Sequence, residues 1–247
     1  YNTAVGYYAL VSNTTGTNNI AIGNDALYTN TTGGANTASG HKALFSNTTG
    51  PYNTASGKEA LYSNTTAEQN TAVGYQALYT NTTGGYNTAV GYRALYLNTT
   101  ALYNTAIGRE ALRSNTTGGW NAACGMYAMG LNTTGIENAA NGYTALYSNT
   151  TGKQNAASGY VTLYNVTTGN YNTGMGSHAG YNITTGSYNT CLGWNSMPSS
   201  GTVDDEFVLG DSHVATLRCN TSSISSLSDA RDKTEVEPSP LGIDFIN

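Results

Sequence analysis

Charge is nearly missing from this chain: 9 Lys and Arg and 14 Asp and Glu among 247 residues, 9% in all, with a formal net charge of −5. The basic residues are scattered singly and form no stripe along which a phosphate backbone could lie, so no nucleic-acid partner is expected. Cysteine is equally sparse. Cys124, Cys191 and Cys219 lie far apart, without the close pairs of a zinc site or the clustered set of a disulfide framework. The first two fall at small or apolar positions and are expected to be buried thiols. His41, His178 and His213 recur at no fixed interval, so no metal site is expected. Large aliphatic side chains are too few for a conventional globular core. No run approaches the ~18 apolar residues of a membrane span, so no membrane insertion is expected. Glycine is plentiful, at 30 residues, yet no Gly-rich segment stands between a strand and a helical pattern as a phosphate loop requires, and no cofactor is expected.

What the chain has is period. Asn2, Asn19, Asn36 and nine further asparagines up to Asn189 stand 17 residues apart without a slip, each opening a unit of the form N-T-A-x-G-x-x-A-L-Y-x-N-T-T-G-x-Y. Such a repeat means that each unit performs the same structural task and touches mainly its neighbours, as in a solenoid or fibre. With positions numbered 1 to 17 from the opening asparagine, Gly at position 5 and the N-T-T-G run supply two bends. Between them, N-T-A-x and x-x-A-L-Y are each long enough for a strand of about four or five residues and too short for a helix. The expected fold class is all-β: a repetitive parallel β-roll or β-helix solenoid with 17-residue coils. Twelve coils stacked at ~4.8 Å give a rod on the order of 55 to 60 Å long.

Position 3 is Ala in ten units and position 9 is Leu in nine; both are expected to point inward. Position 4, which ranges from Val5 and Ile22 through Ser39, Val73 and Cys124 to Asn141 and Met175, is expected near the edge of the interior. One large aliphatic per coil contributes roughly 1.5 to 3 kcal/mol on burial, against ~1 to 2 kcal/mol of backbone entropy per ordered residue. A lone column is then under-supported, and identical chains are expected to pack side by side, the small Ala and Gly positions permitting close approach.

The recurring Asn side chains suit turns and can hydrogen-bond amide to amide up the rod. Tyr recurs at positions 6, 10 and 17, for instance Tyr75, Tyr79 and Tyr86, giving aromatic rows that stabilise ladders and are also what a carbohydrate-binding face would use. Glycosylation-type Asn-x-Thr or Asn-x-Ser triplets run from Asn13 to Asn149 at the repeat spacing and continue at Asn165, Asn182 and Asn220. Their coincidence with the turn makes turn chemistry the simpler explanation.

N-T-A-V-G-Y-x-A-L resembles the S-x-A-I-G-x-x-A repeats of trimeric autotransporter adhesin heads, left-handed β-rolls of three chains, which implies a three-chain β-roll here; the present unit is longer by the N-T-T-G run, so the resemblance does not carry over the hand or outline of the coil. Similar arrays occur in phage tail fibres and in bacterial proteins carrying a tail-fibre chaperone. From Val203 the period is lost, and Ser228 to Asn247 is similar to the opening of the endosialidase-type intramolecular chaperone at the C-terminus of phage tail spikes and fibres. Ser228, Asp229, Arg231, Lys233, Gly242, Asp244 and Ile246 match its S-D-x-R-x-K and G-x-D-x-I segments. The resemblance implies single-turnover self-cleavage at Leu227-Ser228 after three chains have folded together. Ser228 would be the nucleophile, Lys233 the acceptor of its proton, and Asp229 and Arg231 the orienting groups. A mixed-charge turn opening a helix, with Ser228 as N-cap, is the plainer reading of the same residues.

The organisation expected is thus a shaft at 1–202, an irregular β segment at 203–227, and the truncated start of a chaperone at 228–247, within a longer polypeptide. The expected function is that of a structural and adhesive viral tail fibre, located on the virion, assembled from this chain and two identical chains, and bound to a host cell-surface glycan or protein. Any unique binding site is expected in the irregular stretch from Trp194 to Arg218. A bacterial cell-surface adhesin is the alternative. A polysaccharide-degrading tail spike would need paired carboxylates, and only Asp204, Asp205, Glu206 and Asp211 cluster, where they read more simply as a polar turn.

Overall fold

The computed structural model describes residues 1–215. Among the described residues, thirteen strands of three residues each, from β1 (Thr3–Val5) through β12 (Thr190–Leu192) to β13 (Phe207–Leu209), form one sheet in strict sequence order. Every pair is parallel, and each coil sits 17 residues from the next, with Thr3 beside Ile20 and Ala4 beside Ala21. At about 4.8 Å per strand the sheet is roughly 58 Å long. The expected parallel solenoid with 17-residue coils is what the chain forms.

Only one strand forms per coil, not two. The x-x-A-L-Y stretch is a chain of turns in which positions 7 and 9 take left-handed backbone, as at Asp25 (φ 55°) and Leu27 (φ 52°). The cause lies in what must be buried. Ala26 and Leu27 are adjacent and both fully enclosed, whereas consecutive residues of a strand point to opposite faces. Alternating hands of backbone turn both side chains inward. Each left-handed leucine is held from outside its own coil, the Leu27 N–H donating to Ala43 O at 3.0 Å.

Position 5 completes the coil. Its glycines have φ near +130°, and a Cβ on Gly74 would lie 2.5 Å from the carbonyl oxygen of Gly91 in the next coil. The small residues at positions 3, 5 and 8 therefore serve packing within one chain. Core Ala at positions 3 and 8 and Leu at position 9 form one continuous buried cluster. A single column encloses its own interior, so the scarcity of aliphatics is not a reason for association.

The missing hydrophobic material is replaced by amide. Position 1 and position 12 asparagines are buried along most of the column. Asn36 receives Asn19 Oδ1 on its backbone N–H at 2.9 Å and donates Nδ2 to Gly50 O at 2.9 Å, closing its own coil. At position 12, Asn47 Nδ2 donates to Asn30 Oδ1 at 2.7 Å and to Gly50 O at 3.0 Å. The expected amide ladder is present twice. Thr at position 13 adds a third column: the N–H groups of Thr31, Thr32 and Gly33 and the Thr31 hydroxyl all aim at Thr48 O.

Two sequence expectations are corrected at the ends of the strands. Position 4 faces outward rather than toward the interior, so Val5, Ile22 and Met175 are exposed, and Cys124 is exposed while Cys191 is buried. The period also outlasts Val203. Glu206 takes the asparagine slot, its N–H donating to Asn189 Oδ1 at 3.0 Å, and β13 pairs in register with β12.

Candidate functional site

The residues proposed for self-cleavage, Ser228, Asp229, Arg231 and Lys233, lie outside the described residues, as do Leu227, Cys219 and Asn220. Among the described residues, no group of three or more His, Cys, Asp and Glu could hold a metal ion, and no helix is long and apolar enough to cross a membrane. What the column offers is surface, in three kinds.

The outer face of the sheet carries positions 2 and 4. From Thr3 and Val5 to Phe207 and Leu209 it contains Thr, Ser, Ala, Cys, Asn and aliphatic or aromatic side chains and not one charged residue. Where Thr at position 2 gives way to Ala122, Ala139 and Ala156, the face dips into a shallow apolar depression of about 330 Å³.

Aromatic rows form the second surface. At position 10, Tyr28, Phe45, Tyr62, Tyr79 and Tyr96 stack ring on ring at centroid separations of 5.1 to 5.4 Å. At position 17 there are two shorter stacks, Tyr86–Tyr103–Trp120 and Tyr171–Tyr188. Burial pushes the Tyr79 and Tyr164 phenols upward in pKa, so these members of the position 10 row stay uncharged across the physiological range. Between the two position 17 stacks lie Glu137 and Gln154, joined by a 2.7 Å hydrogen bond from Gln154 Nε2 to Glu137 Oε2. Alongside is an open polar hollow of about 680 Å³ lined by Thr134, Thr151, Lys153, Thr168, Asn170 and Tyr171.

The third surface is the distal end. Trp194 is 59% exposed and lies 6.4 Å from the His213 ring. The four clustered carboxylates divide among separate tasks. Asp204 accepts the Ser187 N–H, Glu206 accepts both the N–H and the hydroxyl of Ser199, and Asp211 accepts from His213. The Ser199 hydroxyl, then its N–H, hold Glu206 below the usual carboxylate range, and His213 does the same for Asp211. Asp205 takes a left-handed backbone, φ 62°.

The Asn-x-Thr triplets resolve by burial. From Asn30 to Asn149 the acceptor amide is fully enclosed and engaged with its neighbour, so the folded column has no room for a glycan there. Sequence reasoning missed the outward face of position 4 and the hollow. The signal for the hollow was the unbroken polar run at position 16 in the last four coils, Lys153, Asn170, Ser187 and Asp204, after eight coils in which Thr17 and Glu68 stand alone among Gly, Pro, Leu and Ile. No protein-family model matches the chain, and neither a curated protein nor a solved structure does.

Proposed function

We propose that this chain is the shaft of a viral tail fibre, a structural and adhesive element in which three identical chains lie side by side and hold a host surface. The observation that carries the reading is a ladder thirteen strands long whose outer sheet face is free of charge along its whole length. Parallel hydrogen-bond ladders resist bending, as a fibre needs. An uncharged face about 58 Å by 10 Å covers on the order of 600 Å² per chain, close to the ~800 Å² that a stable partner usually buries. Stacked on identical chains, that face is covered, and each remaining surface group is presented three times, raising weak contacts to useful avidity.

The number three, the virion location and the self-cleavage at Leu227-Ser228 rest on the resemblance of the repeat and of Ser228–Asn247. In that scheme the Ser228 hydroxyl adds to the Leu227 carbonyl as Lys233 takes its proton; the Leu227–Ser228 C–N bond then breaks as that proton passes to the Ser228 nitrogen, and water hydrolyses the resulting ester to a Leu227 carboxylate and a Ser228 with free amine and hydroxyl.

Sizing the chain joined to a complete chaperone of the type that Ser228–Asn247 resembles, with Ser228 and with Ser228→Ala, tests this. Cleavage in the first protein only, with a trimer in both, is the expected result; a monomer in both defeats the proposal.

A further inference from the structure

The break in the position 17 row has the construction of a ligand site. Trp120 is 57% exposed; Tyr103 covers one of its ring faces at 5.7 Å, and the other looks toward the next coil, where Glu137 replaces the aromatic. Tyr171 mirrors it, with Tyr188 on one face at 4.7 Å and Gln154 on the other. The outer ends of the two stacks are unpaired as well, Tyr86 being followed downward by Gln69 and Tyr188 upward by Asp205; the inner ends are the pair that face each other across a polar hollow. Here two free faces bracket a gap of three coil rises, roughly 14 Å.

The gap is polar. Gln154 and Glu137 hold each other in place across two coils. The hydroxyls of Thr134, Thr151 and Thr168 rise along one side. They differ from position 13 hydroxyls such as that of Thr150, which donates to Thr167 O; no hydrogen bond engages them among the described residues. Lys153 and Asn170 close the side, with Asn170 Oδ1 fixed by the Lys153 N–H at 2.9 Å. Trp120, Glu137, Gln154 and Tyr171 share the left-handed backbone that position 17 takes in every coil from Asn18 to Asp205, here with φ between 54° and 59°, so the repeat itself sets the direction in which these side chains leave the column.

We infer that this bay binds a short, uncharged oligosaccharide lying along the fibre axis. Aromatic faces take the apolar faces of sugar rings, and a row of free hydroxyls, an amide and a carboxylate–amide pair takes their hydroxyl groups. The single positive charge of Lys153 beside the single negative charge of Glu137 leaves no net field to select an ionic ligand. The proposal deepens the attachment reading by naming the ligand class and its place on the shaft.

Trp194→Phe leaves Trp120 as the chain's only tryptophan, so its emission reports on the bay directly. The protein is titrated with maltohexaose, cellohexaose, chitohexaose and a hexamer of sialic acid. Saturable change with at least one neutral sugar, and at least tenfold weaker binding in Tyr171→Ala and Thr151→Val, is expected; tenfold corresponds to about 1.4 kcal/mol. Tyr62→Ala, in the position 10 row, should bind as the parent does. No response to any neutral sugar, a response to the sialic acid hexamer alone, or unchanged affinity in Tyr171→Ala overturns the site. Adhesion of the same proteins to host cells separates the two readings. Attachment that survives Tyr171→Ala sinks the bay and leaves the fibre function standing, whereas sugar binding without any attachment does the reverse.

Discussion

Asparagine does in this chain what leucine does in an ordinary core, and the place where it fails shows how. The position 12 ladder ends when Val166 and Ile183 take the asparagine slot in the tenth and eleventh coils. Asn149 Oδ1, the last acceptor before them, is buried with no hydrogen-bond partner. A mid-ladder substitution and one at this break should therefore differ. Asn81→Val strips the donor from Asn64 Oδ1 and an acceptor from Asn98 Nδ2 and is expected to cost about 2 to 3 kcal/mol. Asn149→Val orphans Asn132 Oδ1 but removes an existing orphan, so its net cost should be about 1 kcal/mol or less. Urea midpoints of the two variants compare them directly. Glu206 is the second residue with a defined expectation. Its folded pKa is depressed by Ser199, so its contribution is present above the ordinary carboxylate pKa and is lost as pH falls through the lowered value. An NMR titration of its side chain should show a midpoint below the usual range that moves back up in Ser199→Ala.

At the scale of the coil, the two bends differ in tolerance although both are written as glycine. Position 5 requires left-handed backbone and contact with the next coil's peptide. Gly74→Ala is expected to cost about 3 kcal/mol or more, combining backbone strain with overpacking. Position 15 is already Ala at Ala67 and Ala101, even though a Cβ on Gly84 would come within 2.3 Å of Ala101 O without adjustment. The coil adjusts by loosening a rung. In the coil of Ala67 only the Thr65 N–H reaches Thr82 O, whereas three N–H groups converge in the coil before it. Gly84→Ala should thus cost about 1 kcal/mol or less, and denaturant midpoints of the two glycine variants test the contrast. The end of the column is adjusted in the same spirit. Gly180 stands where leucine is expected, and Ile183 fills the space beside Leu163 and Cys191 that the missing side chain leaves.

For the whole molecule, the two described cysteines report on assembly. Burial pushes the Cys191 thiol up to about 11, so it stays protonated at pH 8; the stability tied to its protonated form is full below the ordinary thiol value and fades as pH rises toward 11. Cys124 stands on the outer sheet face. Peptide mapping after maleimide treatment at pH 8 should leave Cys191 unmodified in every folded state. Cys124 should be protected in the associated fibre and labelled in separated chains. Rapid labelling of Cys124 in an intact trimer would show that the chains meet through another face.

The seventeen-residue spacing alone determined the stacking of parallel coils, the inward Ala and Leu and the asparagine ladders, because a strict repeat forces equivalent residues into register. Three things were decided only by the tertiary structure. The A-L pair bends where a strand was expected, since both side chains have to reach one interior and hydrogen bonds from the next coil hold leucine in a conformation that its own propensity opposes. Position 4 turns outward, since a three-residue strand buries only its middle residue. Glu206 extends the column past the last asparagine, since the slot asks for a backbone N–H facing Asn189, and any residue other than proline supplies one.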